Sequence, residues 1–487
     1  MPRTVQVRRG VYRDSVALMQ LSHTVAGLPG VEAALIAMAT PLNLDLLPGL
    51  GFEPAAGTTP DDLLVAISAD DDDSLSSALG RLEELFSVRQ SEGNTHTVVA
   101  PQTTKSALRR SGAHLALVSV PGQHAFVEGM DALGQDADVM LFSDNVSLDQ
   151  EIRLKEDAHA RGLLVMGPDC GTAIVGGVGL GFANVMRPGP VGIVAASGTG
   201  AQQVCALLDA ADIGVSAVLG TGGRDLSDAV QARSTLDAMR ILDADEGTDL
   251  IVVISKPPAT GVAERVQAAA AQLRTPSVVG FLGRGRDDLT ALTGNVLAAV
   301  GRAPLDSPRW PAERSRPPRA GALRGLFSGG TLCDEAMVIA ADALGPIQSN
   351  IPLDPEWALG PDLAAPGHLM IDFGDDRLTR GRPHPMIDST LRLERFAQEI
   401  KDPNCGVVLI DVVLGHGSDP APATALVPLI EAAAEQNVAV VVSLIGTRGD
   451  PQGLGPTATQ LQSAGADVYL SNAAAARAAT ELVTRRP

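Results

Sequence analysis

The chain has 487 residues, 45% of them hydrophobic, which is enough for two to four domains with sizeable cores. Its formal net charge of −20 makes nucleic acid and anionic membranes poor partners, so we expect neither. Aromatic residues make up 3% of the chain, so small aliphatic residues fill the cores, which favours helix-covered parallel sheets. The four cysteines are isolated, and the sequence shows no signal peptide and no membrane-spanning run. We therefore expect a soluble, cytoplasmic protein without a metal site.

The first 90 residues show strand, helix, strand, strand and helix patterns in succession. That order predicts a small α+β domain at 1–90 with a ferredoxin-like or ACT-like fold. ACT-like folds often bind regulatory ligands, but we favour a docking or dimerisation module here. Dimerisation through this domain would give a homodimer. Residues 91–111 are polar and are interpreted as a linker.

A β/α pattern occupies residues 113–187. Strand patterns at 115–120, 138–142 and 163–166 alternate with helical ones, which is typical of half of a nucleotide-binding Rossmann-like domain. The sequence GGVGLG at 176–181 has the form of a dinucleotide fingerprint. Because it does not lie between the first strand and helix of this unit, we interpret it as a loop or hairpin.

An anion-binding turn is predicted after the next strand, at residues 191–196. The turn consists of Ser197, Gly198, Thr199 and Gly200, and an apolar-periodic helix follows it. Free backbone N–H groups in a helix's first turn, two hydroxyls and the positive end of the helix dipole favour a phosphate or a carboxylate. Because many α/β proteins have such turns with nothing bound, this turn alone leaves ligand binding open.

The second half of the chain repeats this arrangement of strand, turn and helix. Its turn consists of Ser328, Gly329, Gly330 and Thr331. The repeated strand patterns are 249–254 and 278–283 in the first copy and 405–410 and 440–445 in the second. The order of these patterns is the same in both copies, which predicts two related domains in tandem.

We assign these two flavodoxin-like α/β domains to residues 188–300 and 321–487, separated by a proline-rich linker at 301–320. Open parallel sheets bind ligands at the carboxyl ends of their strands, which is where both helix starts lie. The predicted fold class is therefore α/β throughout the last three domains.

Several motifs resemble those of known enzymes. The motifs that resemble the α subunit of succinyl-CoA synthetase and related acyl-CoA synthetases are Gly167-Pro-Asp-Cys170, 191–194 with Ser197-Gly-Thr199, and 278–281 with Gly283-Arg284. This resemblance covers about residues 110–300. It implies that 113–187 is a CoA-binding-type domain and that the two tandem domains are succinyl-CoA synthetase-like.

The whole chain is similar to the FdrA family through five longer motifs. They are Ser255-Lys-Pro-Pro258, Ser328-Gly-Gly-Thr-Leu-Cys333, Ile371-Asp-Phe-Gly374, Gly381-Arg-Pro-His-Pro-Met-Ile-Asp388 and Asp411-Val-Val-Leu-Gly-His-Gly417. FdrA-type proteins resemble subunits of an oxamate carbamoyltransferase system in purine (allantoin) breakdown. The resemblance implies that oxalurate and phosphate give oxamate and carbamoyl phosphate, and that companion subunits of a hetero-oligomer complete the enzyme.

Departures from the synthetases decide which chemistry is expected. The synthetases pass phosphate through a histidine after the strand that matches 278–282, whereas this chain has no histidine between His159 and His368. Lys256 stands in the region of their catalytic glutamate. The chain also lacks an ATP-grasp domain and a GxxxxGK[ST] loop, so we do not expect a nucleotide-driven reaction by this chain alone.

Three functions follow, and we favour the first. In a carbamoyltransferase subunit, the N–H donors of the two turns hold phosphate, which is a substrate, or the oxyanion that develops beside it. In an acyl-CoA synthetase-like ligase, 113–187 holds CoA and a separate subunit supplies the nucleotide. In a scaffold or regulator, the chain docks through its first domain and has no catalytic role.

Three cations are expected at strand ends, where each could pair with a carboxylate of a small anionic substrate: Lys256, Arg284 and Arg382. We expect the two helix starts to face a common cleft lined by Lys256, Asp372 and Arg382, with a partner supplying further catalytic groups. Helix starts more than roughly 20 Å apart would rule out one shared ligand.

Acid–base candidates lie in two loops. His384 follows the strand that ends at Asp372, and His416 follows another predicted strand. Histidines in such loops act as acids or bases, or brace the loop through hydrogen bonds. We favour an acid–base role for His384, and both alternatives stay open for His416.

Overall fold

The computed structural model describes residues 2–11, 13, 15–53, 57–88, 101–313, 318–379 and 382–484. It divides into two compact units, Met1–Ser106 with Arg380–Pro383, and Ala107–Thr379 with His384–Pro487. Within the described ranges, no helix combines the length and the apolar character needed to cross a membrane.

The first unit is a three-stranded antiparallel sheet with helices on both faces. Its elements are β1 (Arg3–Arg8), α1 (Ser15–Ala26), β2 (Val31–Met38), α2 (Pro41–Leu46), a 3-10 turn (Pro48–Leu50), β3 (Leu63–Ala69) and α3 (Asp72–Val88). The strand order is β1-β3-β2. Along β3, Val65 and Ile67 pack towards α1 and α3, whereas Leu64 and Ala66 pack with Phe52 on the opposite face. The predicted α+β fold is confirmed.

The predicted linker at 91–111 ends in a helix, α4 (Thr104–Ser111), because Leu108 packs into the core of the next sheet. Residues 91–100 lie outside the described residues. The sheet that follows is parallel, in the order β4-β5-β6. Its elements are β4 (Leu115–Val118), α5 (Gly122–Leu133), β5 (Asp138–Leu141), α6 (Leu148–Arg161) and β6 (Val165–Met166).

A six-stranded sheet comes next, in the order β12-β11-β9-β10-β7-β8. Its elements are β7 (Thr172–Val175), β8 (Val178–Gly181), β9 (Pro188–Ala195), α7 (Gly198–Ala210), β10 (Val215–Gly220), α8 (Arg233–Ala244), β11 (Leu250–Ser255), α9 (Thr260–Ala270), β12 (Ser277–Phe281) and α10 (Leu289–Ala299). The GGVGLG stretch is the predicted hairpin, β7–β8. It pairs with β10 and so extends this sheet rather than the preceding one, where the sequence had placed it.

The last sheet has seven strands, in the order β13-β19-β18-β17-β14-β16-β15. Its elements are β13 (Arg309–Trp310), β14 (Ala322–Phe327), α11 (Gly330–Leu344), β15 (Gln348–Ser349), a 3-10 turn (Pro355–Trp357), β16 (Leu369–Asp372), α12 (Asp376–Thr379), α13 (Thr390–Lys401), β17 (Cys405–Val413), α14 (Pro422–Glu435), β18 (Ala439–Ile445), α15 (Leu454–Ser463), β19 (Asp467–Tyr469) and α16 (Asn472–Thr484). Part of the predicted linker is therefore sheet, because β13 pairs with β19 and Trp310 packs on the core.

The two large sheets repeat one topology. The parallel order β12-β11-β9-β10 corresponds to β18-β17-β14-β16, and α7 follows β9 as α11 follows β14. The repeated strand patterns in the sequence thus reflect repeated architecture, and the predicted fold class is confirmed.

A buried ion cluster joins the three-stranded parallel sheet to the six-stranded one. Lys155 on α6 donates to Glu151 and Asp225 at 2.8 Å each, and to the carbonyl of Thr221 at 3.0 Å. The side chains of Lys155 and Asp225 are 0% exposed. Because every charge is paired, the cluster fixes α6 against the loop that follows β10.

Candidate functional site

The two predicted helix starts lie in direct contact. Ser197 Oγ and Thr331 Oγ1 share a hydrogen bond of 2.6 Å, and Ser197 Oγ also accepts from the N–H of Gly200 at 3.0 Å. A Cβ on Gly329 would lie 2.7 Å from Thr199 Oγ1, so only glycine admits this approach. The starts of α7 and α11 therefore adjoin one another, as the repeat predicts.

The hydroxyl groups of Ser197 and Thr331 hold the two helix starts together and are not left to bind a ligand. Ser197, Thr199 and Thr331 are all buried, and the hydroxyls of Ser197 and Thr331 satisfy each other. We had expected these side chains to hold the anion. The groups that remain half-exposed are the glycines Gly198 and Gly330, which offer backbone rather than side chain.

Charged side chains surround the α11 start. A Cβ on Gly330 would lie 2.7 Å from Lys256 Nζ and 2.8 Å from Asp372 Oδ2. Lys256 Nζ also lies 3.5 Å from Asp334 Oδ2, and 39% of the Lys256 side chain is exposed. Gly330, Lys256, Asp334 and Asp372 together define what we call the recess.

The electrostatics of the recess keep Lys256 charged. Desolvation by the surrounding protein lowers the pKa of Lys256, but the carboxylates of Asp334 and Asp372 outweigh it and leave that pKa raised. Burial raises the pKa of Asp372 to about 7, against the opposing effects of Lys256 and the N–H of Gly374. The recess thus pairs a fixed cation with a carboxyl group that titrates near neutral pH.

Asp372 is held through both its backbone and its carboxyl group. The side chain of Asn350 donates to the carbonyl of Asp372 at 2.8 Å and accepts from its N–H at 2.9 Å. The N–H of Gly374 donates to Asp372 Oδ1 at 2.9 Å. These bonds fix the carboxyl group at the end of β16.

The buried ion pair of Arg392 and Asp411 anchors the turn that precedes α11. Ser328 donates from its N–H and its hydroxyl to Asp411, at 2.8 and 2.9 Å, and Arg392 pairs with the same carboxylate. Burial is the main cause that raises the pKa of Asp411. Ser328 therefore positions the turn and does not face a ligand, contrary to our expectation.

His384 reaches the edge of the recess. Its Nε2 would lie 3.0 Å from a Cβ on Gly374, and Asp372 Oδ1 would lie 3.1 Å from the same point. Its Nδ1 accepts from the N–H of Met386 at 3.2 Å, so the proton of the neutral ring is on Nε2. Burial, and then the charge of Arg392, lower the pKa of His384 to about 4. His384 is accordingly a neutral hydrogen-bond donor.

Three predicted residues lie outside this group. His416 is exposed, and its ring lies beside Gly179. Arg284 is exposed and stacks on Trp357, with 4.8 Å between its guanidinium carbon and the ring centroid. Arg382 is exposed and belongs to the other compact unit, so it is not counted among the recess residues.

Two acidic residues were missed in the sequence. Asp334 lies four residues after Gly330 on α11, a spacing that puts both on one face and could have revealed it. Asp169 follows β6 with a φ of 57°. Its pKa is raised to about 7 by desolvation and by two carboxylates, against the charge of Lys256.

Two known protein families match parts of the chain. The family described as AllF, heavy metal-associated domain, matches residues 1–101, and the family described as CoA-ligase matches residues 326–482. YahF of Escherichia coli, described as an uncharacterized protein, is 39% identical over 494 residues and 95% of each chain. The chain belongs to the YahF family.

More distant relatives of this YahF family member are ligase subunits. The succinate–CoA ligase [ADP-forming] subunit alpha 2 of Archaeoglobus fulgidus is 26% identical over 220 residues, 44% of this chain and 73% of the relative. The α subunit from Staphylococcus epidermidis is 25% identical over 37% of this chain and 60% of its own. Among solved structures, dinucleotide-forming acetyl-coenzyme A synthetase 1 of Ca. Korarchaeum cryptofilum covers 77% of this chain and 85% of its own, at 16% identity and a TM-score of 0.30.

These comparisons confirm the resemblance to succinyl-CoA synthetase α subunits and support an enzyme or enzyme subunit of the CoA-ligase class. None of the relatives just named is named for carbamoyl transfer or purine breakdown, so the comparisons favour the ligase alternative over the carbamoyltransferase that we had preferred.

The heavy-metal description does not fit the residues present. Residues 1–101 contain no cysteine, although soft thiolate ligands are what heavy metals prefer. Across the described ranges, no group of three or more His, Cys, Asp or Glu side chains could hold a metal ion. The match therefore concerns the fold of this region rather than a set of metal donors.

Proposed function

We propose that the chain is a catalytic subunit of a CoA-ligase-type enzyme whose recess holds the phosphoryl group of an acyl phosphate. The observation that carries the proposal is the meeting of Lys256 Nζ with the α11 start at Gly330. Among the described residues, no side chain caps that helix start, so its N–H groups stay available to a ligand.

A phosphoryl group suits this combination of partners. Its oxygens are drawn to the helix N–H groups, to the positive end of the helix dipole and to the ammonium of Lys256. Asp372, in its protonated form, donates to a further oxygen. The neutral His384 presents an N–H and not a nucleophilic nitrogen, so the recess binds the phosphoryl group without a phosphohistidine.

CoA is assigned to the carboxyl ends of β4, β5 and β6. Open parallel sheets bind ligands along that edge. The loop that follows β6 carries Asp169, and the charge of Lys256 lowers the pKa of that carboxyl group. The proposal requires that the thiol of CoA bound along this edge reaches the recess. The nucleotide that makes the acyl phosphate is then supplied by a companion subunit.

The reaction is a transfer of the acyl group between phosphate and sulfur. The thiol sulfur bonds to the acyl carbon, the carbon–oxygen bond to phosphate breaks, and inorganic phosphate leaves with the electron pair. The thiol proton passes to a base and then to solvent. Gly330 and Lys256 stabilise the leaving phosphate because the charge that develops there meets fixed positive potential.

The test uses the protein purified with any subunits that accompany it. It is given CoA with acetyl or succinyl phosphate, and acyl-CoA is measured by mass spectrometry. Formation of acyl-CoA, lost in Lys256→Met and kept in Lys401→Met on the exposed end of α13, supports the proposal. Formation of carbamoyl phosphate from oxalurate and phosphate would establish the carbamoyltransferase instead. If the protein catalyses neither reaction, and calorimetry detects no binding of CoA or phosphate, the scaffold function remains as the explanation.

A further inference from the structure

The recess places a carboxyl group beside a bound anion, and these two groups repel each other unless a proton lies between them. We propose that Asp372 shares one proton with the bound phosphoryl group, so that the recess takes phosphate and rejects sulfate once Asp372 is ionised. This inference rests on the proposed function and adds to it the selectivity of the anion site.

The Oδ2 atom of Asp372 faces the place assigned to the ligand. A Cβ on Gly330 would lie 2.8 Å from this oxygen and 2.7 Å from Lys256 Nζ, and the next nearest atom, Lys256 Cε, would be 3.6 Å away. Asp372 is 5% exposed, and its Oδ2 accepts no hydrogen bond from the part of the chain that the structure describes. A ligand at the α11 start therefore meets the ammonium and a buried, unpartnered carboxyl oxygen together.

The other carboxyl oxygen of Asp372 is already engaged. Oδ1 accepts from the N–H of Gly374 at 2.9 Å, while Asn350 bonds to both backbone polar groups of Asp372. Because Oδ1 is used as an acceptor, the proton of the neutral carboxyl group is carried by Oδ2. Asp372 thus presents the ligand with a donor when it is protonated and with an acceptor when it is ionised.

The titratable groups around Asp372 leave it free to change its charge near neutral pH. They come from four segments: Lys256 after β11, Cys333 and Asp334 on α11, Asp411 on β17, and His384 after α12. Lys256 stays charged and His384 stays neutral, whereas Asp411 is paired with Arg392. Burial is the main cause that raises the pKa of Asp372 to about 7.

Phosphate and sulfate have the same tetrahedral shape and differ in their protons. Hydrogenphosphate carries a hydroxyl group in neutral and mildly alkaline water, so it donates to ionised Asp372 while its other oxygens accept from Lys256 and the α11 N–H groups. Sulfate carries no proton under these conditions. It binds only when Asp372 holds the proton, because two buried acceptors that face each other repel and stay unsatisfied.

The shared proton also completes the acyl transfer. The phosphoryl group of an acyl phosphate brings no proton, so it binds to the protonated form of Asp372. As the thiol sulfur bonds to the acyl carbon and the carbon–oxygen bond breaks, the proton moves from Asp372 Oδ2 to a phosphate oxygen, and hydrogenphosphate leaves instead of the trianion. The thiol proton reaches solvent, and solvent returns one proton to Asp372.

Calorimetric titration of the protein, purified with any subunits that accompany it, tests this inference with sodium phosphate and sodium sulfate between about pH 6 and about pH 9. Sulfate affinity should fall about tenfold for each pH unit above about 7, because only the protonated fraction of Asp372 binds it. Phosphate affinity should change less than about threefold. In Asp372→Asn, whose amide is a permanent donor, sulfate affinity should no longer depend on pH.

The matched control is Asp376→Asn, at an exposed position on α12, which removes an acidic charge nearby in the sequence and should keep the wild-type sulfate profile. If Asp372→Asn does not fold, proton uptake by the wild type decides. Sulfate binding at about pH 8 should take up close to one proton, measured in buffers that differ in ionisation enthalpy, and phosphate binding should take up far less.

The same pH dependence for both anions, or a wild-type sulfate profile in Asp372→Asn, overturns the proton sharing. Acyl-CoA formation alongside that result would leave the proposed function intact. A protein that shows the selectivity but forms no acyl-CoA overturns the proposed function alone, and the absence of phosphate binding at every pH overturns both.

Discussion

Lys256 Nζ lies 3.5 Å from Asp334 Oδ2, and the pair crosses the boundary between the two repeated domains. Lys256 follows β11 in the first repeat, whereas Asp334 lies on α11 in the second. The hydrogen bond between Ser197 and Thr331 crosses the same boundary. The recess is therefore a property of the assembled pair, and neither repeat contains it alone.

Replacing Lys256 by Met should weaken the binding of inorganic phosphate at least tenfold, because the recess loses its fixed cation while Asp334 and Asp372 remain. Isothermal titration calorimetry measures the change. Lys256→Arg, which keeps the charge, should recover part of the affinity. Equal phosphate affinity in Lys256→Met and the wild type would show that phosphate binds elsewhere.

Gly330→Ala should lower both phosphate affinity and stability. The new methyl would displace the Lys256 ammonium from the helix start, since Nζ lies 2.7 Å from its position, and would crowd the fixed Asp372 carboxyl group, whose Oδ2 lies 2.8 Å away. Overpacking of this kind costs about 1–3 kcal/mol, which exceeds the gain of up to about 1 kcal/mol from the better helix propensity of alanine. Calorimetry and urea denaturation test the two effects; unchanged phosphate affinity would contradict the assignment of the α11 start to the ligand.

The hydroxyl pair should contribute to the domain contact and little to ligand binding. We expect Ser197→Ala and Thr331→Val each to lower the unfolding free energy by about 1–3 kcal/mol, because each leaves one buried hydroxyl unsatisfied or unmatched. The double variant should lose less than the sum of the two. Phosphate affinity should change less than threefold, and a tenfold loss would restore these hydroxyls to the ligand site.

The stability of wild type relative to Glu335→Gln should fall as pH rises from 5 to 8. Glu335 accepts from the N–H of Leu289 and the side chain of Asn472, which ties α10 and α16 to α11. Burial raises its pKa from 4.5 to about 7. A raised carboxyl pKa means that the folded state holds a proton that the unfolded state has lost, so this contribution is complete below about 4.5 and is lost as pH rises through 7.

Urea denaturation of both proteins across that pH range measures this dependence. We expect the difference in unfolding free energy to change by about 1 kcal/mol or more in favour of Gln. A difference that is constant with pH would place the pKa of Glu335 at its ordinary value.

Lys155→Met should destabilise the protein by about 3–5 kcal/mol, because Glu151 and Asp225 would keep buried charges without their shared partner. Lys401→Met, at an exposed position, should stay within about 0.5 kcal/mol of wild type. Thermal and urea unfolding provide the comparison. An equal, small effect of both substitutions would show that water reaches the Lys155 cluster.

Sequence patterns were sufficient to predict the architecture because strand and helix periodicity depends on neighbouring residues only. The repeat also shows each strand and helix pattern of the tandem domains twice. For 176–181 the sequence left a loop and a hairpin open, and the pairing of the two helix starts was expected from the repeat and from the resemblance to the synthetases. The sequence did not predict which sheet β7 and β8 join, because a hairpin pattern carries no information about the strand with which the hairpin pairs.

The chemistry of the site was harder to predict because it depends on which residues, distant in the sequence, lie next to each side chain in the fold. Ser197 and Thr331 look like ligand donors in the sequence, and only the contact between two helix starts shows that they satisfy each other. The pKa of Asp169 is raised first by desolvation and then by Asp376 on α12 and Asp144 after β5, and all three causes depend on residues that are far apart in the sequence. Asp334, by contrast, follows from helical spacing alone, because it lies four residues after Gly330 on α11.

The connector between the repeats has a consequence for how the recess is maintained. Arg309 and Trp310 already belong to the last sheet as β13, so a short covalent path leads from α10 to the second domain, and the two domains share the charged groups of the recess. Within one chain, the two halves meet at an effective concentration in the millimolar range or above. The joined recess therefore persists at any dilution of the protein, whereas separate halves would disengage as they became scarce.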